Sequence, residues 1–162
     1  MSKKFFISLA VLMIVGIACM TSNAGDSKVD YPEGYRQWAH VKSMVLQEGH
    51  ALYETFGGIH HVYANEKASA AMKAGKPYPD GAVLVFDLLE AIADNNAIVE
   101  GARKVVGVMQ KDSKKFSATG GWGYEGFKGD TKERVVEDAN ASCHSCHMSQ
   151  KGNDYVFSKH RK

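Results

Sequence analysis

Asp80-Gly81-Ala82-Val83-Leu84-Val85-Phe86-Asp87-Leu88 decides the fold class of this chain. Asp-Gly is a turn signal, and the residues after it are dominated by β-formers whose alternation puts Leu84, Phe86 and Leu88 on one face of a strand. Phe86 is therefore expected to point inward. Towards the C-terminus, Arg103 to Met109 and Trp122 to Phe127 read as two more strands, the second opening just after the Gly120-Gly121 breaker. Towards the N-terminus, Ile59, His61 and Tyr63 alternate with His60, Val62 and Ala64 after Gly57-Gly58, which predicts a further strand. Between these, Asn65 can cap the Ala-rich segment Glu66 to Ala74, and Gly75 sits where a helix ends.

Two more helices are expected. Pro32 suits a first helical position, and Tyr35, Trp38, Val41 and Val45 recur at helical spacing, predicting a helix over 33–48. Asp130 followed by Glu133 has capping-box spacing and predicts a helix carrying Val135, Val136 and Ala139 up to the cysteines. The chain shows no internal repeat and no low-complexity segment. The order points to an α+β domain: an antiparallel sheet flanked by a few helices, the last of them C-terminal.

The N-terminus adds a targeting signal. Lys3 and Lys4 precede an apolar run from Phe5 to about Ala18, followed by Ser22-Asn23-Ala24, so residues 1–24 read as a secretory signal peptide and 25–162 as a single domain. The run is too short to span a membrane comfortably. A rival reading makes Cys19 a lipid-bearing cysteine, although Gly16 stands where a leucine is usual. Removing 1–24 takes two of the 20 basic residues and none of the 18 acidic ones, which leaves a formally neutral chain and argues against a nucleic-acid binder. The basic tail Lys159-His160-Arg161-Lys162 is read as a solvated terminus.

Cys143-His144-Ser145-Cys146-His147 is C-x-x-C-H, the pattern that attaches a c-type haem. Two thiols three positions apart can each add to one haem vinyl group, and the histidine that follows can present an imidazole nitrogen to the iron. The other readings are a disulfide, half of a zinc site or a redox dithiol. Zinc lacks partners once Cys19 has gone with the signal, and a redox pair belongs at a helix start in a βαβ unit that is absent here. Only fifteen residues follow His147, and Met148, the one methionine after the motif, is adjacent to the ligand and cannot reach the opposite face of a haem. A C-terminal motif also occurs in four-helix-bundle cytochromes, but the β-rich middle of this chain opposes a bundle.

Tyr31-Pro32-x-x-Tyr35-Arg36-x-Trp38, Phe56 before a strand ending Val62-Tyr63, Asp80-Gly81-x-Val83-x-Val85 and the C-terminal CHSCH together resemble the cytochrome P-460 family over most of the mature chain. The resemblance implies a β-rich homodimer with one covalent haem c per chain. Hydroxylamine-oxidising members carry a lysine, cross-linked to the haem, in the strand after the Asp-Gly turn. Alignment on Asp80-Gly81 puts Phe86 at that position, so the sequence is more similar to the cytochromes c′-beta, the branch without the cross-link, whose pocket is capped by phenylalanines matching Phe56 and Phe86.

An iron held by one imidazole, with an aromatic and donor-free opposite face, lacks a strong sixth ligand. Bound O₂ needs a hydrogen-bond donor, whereas NO and CO bind ferrous haem tightly without one. The expectation is a periplasmic protein with five-coordinate iron that binds small gases, NO before CO, for capture, carriage or sensing, with a redox partner left open. The alternatives are an enzyme oxidising hydroxylamine or NO, and an electron-transfer cytochrome, which would need six-coordinate iron. His60 and His61 face opposite ways on a strand and are weak candidates for a second ligand. His144 is expected to face solvent. Asp138 could lie near the distal side, with a solvated helix carboxylate as the preferred reading.

Overall fold

Every predicted strand finds its partner next to it in sequence, so the sheet is a simple antiparallel meander in the order β1-β2-β3-β4-β5. The computed structural model describes residues 28–161; the expected signal segment, with Cys19, lies outside the described residues. The strands are β1 (Ala39–Leu46), β2 (Gly58–Ala64), β3 (Val83–Asp94), β4 (Ala97–Lys111) and β5 (Trp122–Lys128). Two short helices, α1 (Tyr53–Phe56) and α2 (Glu66–Ala74), flank β2. No helix among the described residues is long and apolar enough to cross a membrane.

Local chemistry accounts for the regular pieces. Asn65 Oδ1 accepts from Ala68 N at 2.9 Å to cap α2, and Gly75 closes that helix in the left-handed region (φ 60°). Asn95 and Asn96 both take positive φ, 46° and 61°, forming the two-residue turn that joins β3 to β4 with Asp94 opposite Ala97. The two long strands run past their neighbours, and the hairpin end leaves Ile92, Ile98 and Val99 exposed.

Two of the expected helices are absent. The segment expected as a helix over 33–48 forms only a single turn of 3-10 helix, Tyr35–Gln37, and then enters β1. The period-three spacing is overridden by the ladder to β2, which pairs Ala39 with Ala64 through to Leu46 with Gly58, with an irregularity at Val41 between His40 and Lys42. The helix expected from Asp130 is replaced by extended chain beside β5: Val135 N bonds Gly126 O, Lys128 N bonds Glu133 O, and Arg134 bridges Phe127. The acidic residues of the apparent capping box are spent elsewhere, Asp130 on Arg103 and Glu133 on Lys128. Helical structure begins only at Asn140: a wide turn Asn140–His144, an α turn Ser145–His147 and a tightened 3-10 stretch Met148–Asn153.

Apolar cores lie on both faces of the sheet. One contains Val85, Val106, Val108 and Phe127 with Val29, Tyr35 and Phe116. The other contains Ala64, Leu84, Trp122 and Tyr124 under α2, Tyr78 and Val156, with Cys143 and Tyr155 packed against it. This second face positions the site.

Candidate functional site

Strand register puts a defined set of side chains on the second face. Val62 pairs with Phe86, Phe86 with Gly107 and Gly107 with Gly126, while Leu84, Met109 and Tyr124 form the next row. The Leu84 row lies beneath the helical run that carries the two cysteines. In the Phe86 row two adjacent strands carry glycine. A Cβ on Gly107 would meet Phe86 Cδ1 at 3.3 Å, and one on Gly126 would meet Val135 Cγ2 at 2.9 Å. The two glycines thus leave room for their neighbours, Phe86 lying against Gly107 and Val135 against Gly126.

Phe86 is half-buried, less enclosed than Leu84 and Leu88 on the same face, and its ring meets Phe56. The two rings stand edge to face, centroids 5.9 Å apart and planes at 87°. Phe56 ends α1 and stays 37% exposed. Its position is fixed by backbone anchors: His60 Nε2 bonds the Phe56 carbonyl, and Lys104 Nζ donates to the Gly57 carbonyl at 2.8 Å. Gly58 takes φ 130°, and a Cβ there would sit 2.1 Å from the Leu89 carbonyl oxygen, so the chain can re-enter β2 only without a side chain.

The motif residues occupy one helical turn. Cys143 and Cys146 are free thiols, the first half-buried against the sheet and the second exposed. Burial chiefly, with the nearby Glu125 carboxylate and Cys146, pushes the Cys143 thiol up. His147 Nδ1 lies 2.7 Å from the Tyr155 carbonyl oxygen. A carbonyl only accepts, so Nδ1 carries the proton and Nε2 keeps its lone pair. Burial holds this imidazole below its usual range, against the opposing effect of that hydrogen bond. A neutral ring with one nitrogen tied to a carbonyl is the form in which histidine binds a metal. Tyr124 and Phe157 border the ring at centroid distances of 5.1 and 5.0 Å, and Phe157 is left largely exposed.

These observations fit a haem. The two free thiols are spaced for its vinyl groups, the imidazole that follows them is oriented through Tyr155, and the apolar side chains Phe56, Val135 and Phe157 stand exposed. Among the described residues no group of three or more His, Cys, Asp or Glu side chains converges on a point where a bare ion could be held. Haem iron, held by four ring nitrogens, needs only one such side chain.

The remaining candidates separate clearly. His60 faces the Phe86 side and is buried, whereas His61 faces the other way, bonding Ser43 Oγ and Glu100 Oε1 at 2.7 Å each. His144 departs from expectation: it is 7% exposed, with Nδ1 3.4 Å from the Tyr124 hydroxyl and its ring on Tyr155. The wide turn at Asn140–His144 rotates it inward, a distortion the sequence does not announce. Asp138 is exposed and caps the helical run, Oδ1 accepting from Asn140 N and Ala141 N. Sequence reasoning gave no role to Tyr155 or Lys104, and none to the pair Lys111 and Asp154, whose Nζ and Oδ1 are 2.7 Å apart. The first two act through or upon main-chain carbonyls, which residue types do not reveal.

Comparison with known proteins agrees with this geometry. The family model for Cytochrome P460 matches residues 32–158, from the proline before the first turn to the segment just after Phe157. No curated protein matches the chain.

Proposed function

The chain belongs to the cytochrome P460 family, whose members bind haem, and from that premise we propose that it is a periplasmic gas-binding haem protein whose most fitting ligand is NO. In this reading Cys143 and Cys146 would hold one haem, His147 would bind its iron, and Phe56 with Phe86 would cover the open face of the site. The bound haem supplies an iron with one open coordination position. The chain's own residues do the rest: Tyr155 orients the His147 ring, and the phenylalanine pair excludes both water and hydrogen-bond donors.

The observation that carries the reading is the edge-to-face contact of Phe56 with Phe86 on the sheet face that also receives Cys143. Side chains in such a contact offer an incoming diatomic molecule bulk and no polar stabilisation, which favours NO and CO over O₂. The chain has no lysine where hydroxylamine-oxidising relatives carry their cross-link, because Phe86 stands there. The protein is further read as a homodimer, and the exposed Ile92, Ile98 and Val99 of the projecting hairpin are in keeping with that.

Intact mass and ligand titration test the proposal together. The mature chain should begin at Gly25 and carry one haem that survives acid-acetone extraction, and the reduced protein should bind CO and NO without forming a stable O₂ complex. An extractable haem, or a stable O₂ complex, would contradict it.

A further inference from the structure

His60 is 1% exposed and lies outside the attachment motif. Its Nε2 bonds the carbonyl of Phe56, and its ring meets Phe86 edge on, centroids 4.6 Å apart at 79°. Phe56 and Phe86 also touch each other, so three rings form a closed set held by one hydrogen bond and two edge contacts. The Phe56 carbonyl closes a four-residue helix and has no partner within it, and α1 is exposed along its whole length. The imidazole is therefore one of two side-chain ties between this stretch and the sheet, the one on the phenylalanine's own carbonyl, with Lys104 on the next carbonyl.

The bond also fixes the proton. Because a carbonyl can only accept, Nε2 is the protonated nitrogen, and Nδ1 is left as a bare lone pair, buried without a partner among the described residues. Leucine would fill such a place without stranding a polar atom, so an imidazole used only for packing would be the poorer choice.

We propose that His60 is the positioning residue of the gas site: it holds Phe56 over Phe86 through the Phe56 carbonyl and, in this single tautomer, offers no hydrogen-bond donor of its own. This rests on the gas-binding reading above and adds to it the residue that sets how fast a ligand passes the phenylalanines.

The test is the CO association rate of the reduced holoprotein, by rapid mixing, in wild type, His60→Gln, His60→Leu and, as a reference, Phe56→Ala. Glutamine carries an amide N–H close to the place of Nε2, so His60→Gln should stay near the wild-type rate. His60→Leu loses the tie and should bind CO faster by roughly fivefold, the factor one ordinary hydrogen bond supports. A merely packing role predicts the opposite order, leucine tolerated and glutamine disturbing. Equal rates in wild type and His60→Leu, or an equal rise in both His60 variants, would overturn the proposal. If Phe56→Ala raises the rate and His60→Leu does not, the role of His60 alone falls; if Phe56→Ala also leaves the rate unchanged, the gas-site reading falls and takes this proposal with it. Should His60→Leu fail to fold, nitrogen NMR of the CO-bound wild-type protein reads the tautomer directly: a proton on Nε2 supports the assignment, and a proton on Nδ1 refutes it.

Discussion

His147 Nδ1 donates to the main-chain oxygen of Tyr155 across 2.7 Å, and this contact joins the motif to the rest of the domain. Tyr155 and the residue before it, Asp154, both take positive φ, 64° and 49°, a conformation that costs about 1–3 kcal/mol at each non-glycine position. The strain is held in place by the Asp154 carboxylate, which accepts from Lys111 Nζ at 2.7 Å and from Tyr78 N at 2.9 Å. The orientation of the His147 ring is thus set from β4, through an ion pair and a strained loop.

Removing one side of that pair should be felt at His147. Lys111→Met leaves the mostly buried Asp154 carboxylate without its cation and should cost about 2–3 kcal/mol in denaturant unfolding, somewhat under the value for a fully buried pair. Asp154→Asn should cost less than Asp154→Ala, because asparagine tolerates the left-handed backbone and alanine does not. In both Asp154 variants the iron–histidine stretching frequency of the reduced protein should shift, and an unchanged frequency would detach the loop from the ligand.

Gly58→Ala should be severely destabilising, by about 3 kcal/mol or more, because the new Cβ would fall 2.1 Å from the Leu89 carbonyl oxygen at φ 130°. The carbonyl belongs to a paired strand and cannot yield. Thermal unfolding of the holoprotein measures this, and a loss under 1 kcal/mol would mean the α1–β2 junction can relax.

Phe56→Ala and Phe86→Ala should both raise the on-rates for CO and NO, with smaller changes in the off-rates. Phe56→Ala should cost the less stability, since Phe56 is exposed along one side, and both should fall below the roughly 3–5 kcal/mol of a fully buried phenylalanine. Unchanged on-rates in both alanine variants would make these rings ordinary packing.

Acid should weaken the fold through His60. Burial depresses its pKa below the ordinary 6.5, against the opposing hydrogen bond to Phe56, so the folded chain takes up this proton less readily than the unfolded chain. The associated stability is complete above about pH 6.5 and is lost as the pH falls from there through the lower folded value. His60→Gln should flatten this part of the dependence without abolishing it, because His40 is depressed as well, through burial and the neighbouring His61. Unfolding midpoints measured across that range give the comparison, and identical slopes in wild type and His60→Gln would refute the assignment.

The strands were legible where alternation and turn residues agreed: β2, β3 and β5 begin within a residue of their predicted starts, and the cap pair Asn65 and Gly75 bounds α2 as expected. Legibility failed where long-range pairing overrode a local pattern. Tyr35, Trp38, Val41 and Val45 have helical spacing, yet the β2 edge offers Ala39 to Leu46 a ladder, bulged at Val41, that takes the segment out of helix. Asp130 and Glu133 imitate a capping box, but Arg103 and Lys128, distant or unremarkable in sequence, take their charges. At the site, the motif is read from the chain and the two phenylalanines from the family resemblance, and the structure sets Phe56 against Phe86. The anchors that hold them, His60 on a carbonyl, Lys104 on a carbonyl and Tyr155 through its own carbonyl, depend on backbone atoms that every residue possesses.

The most direct test of the central claim is the optical spectrum of the purified protein after reduction. An iron held by His147 alone, beneath a phenylalanine cover without a sixth ligand, should give a five-coordinate, high-spin ferrous spectrum with one broad visible band that changes on adding CO. Sharp, separate α and β bands, unaltered by CO, would show a low-spin iron already closed on both sides, and would contradict the account.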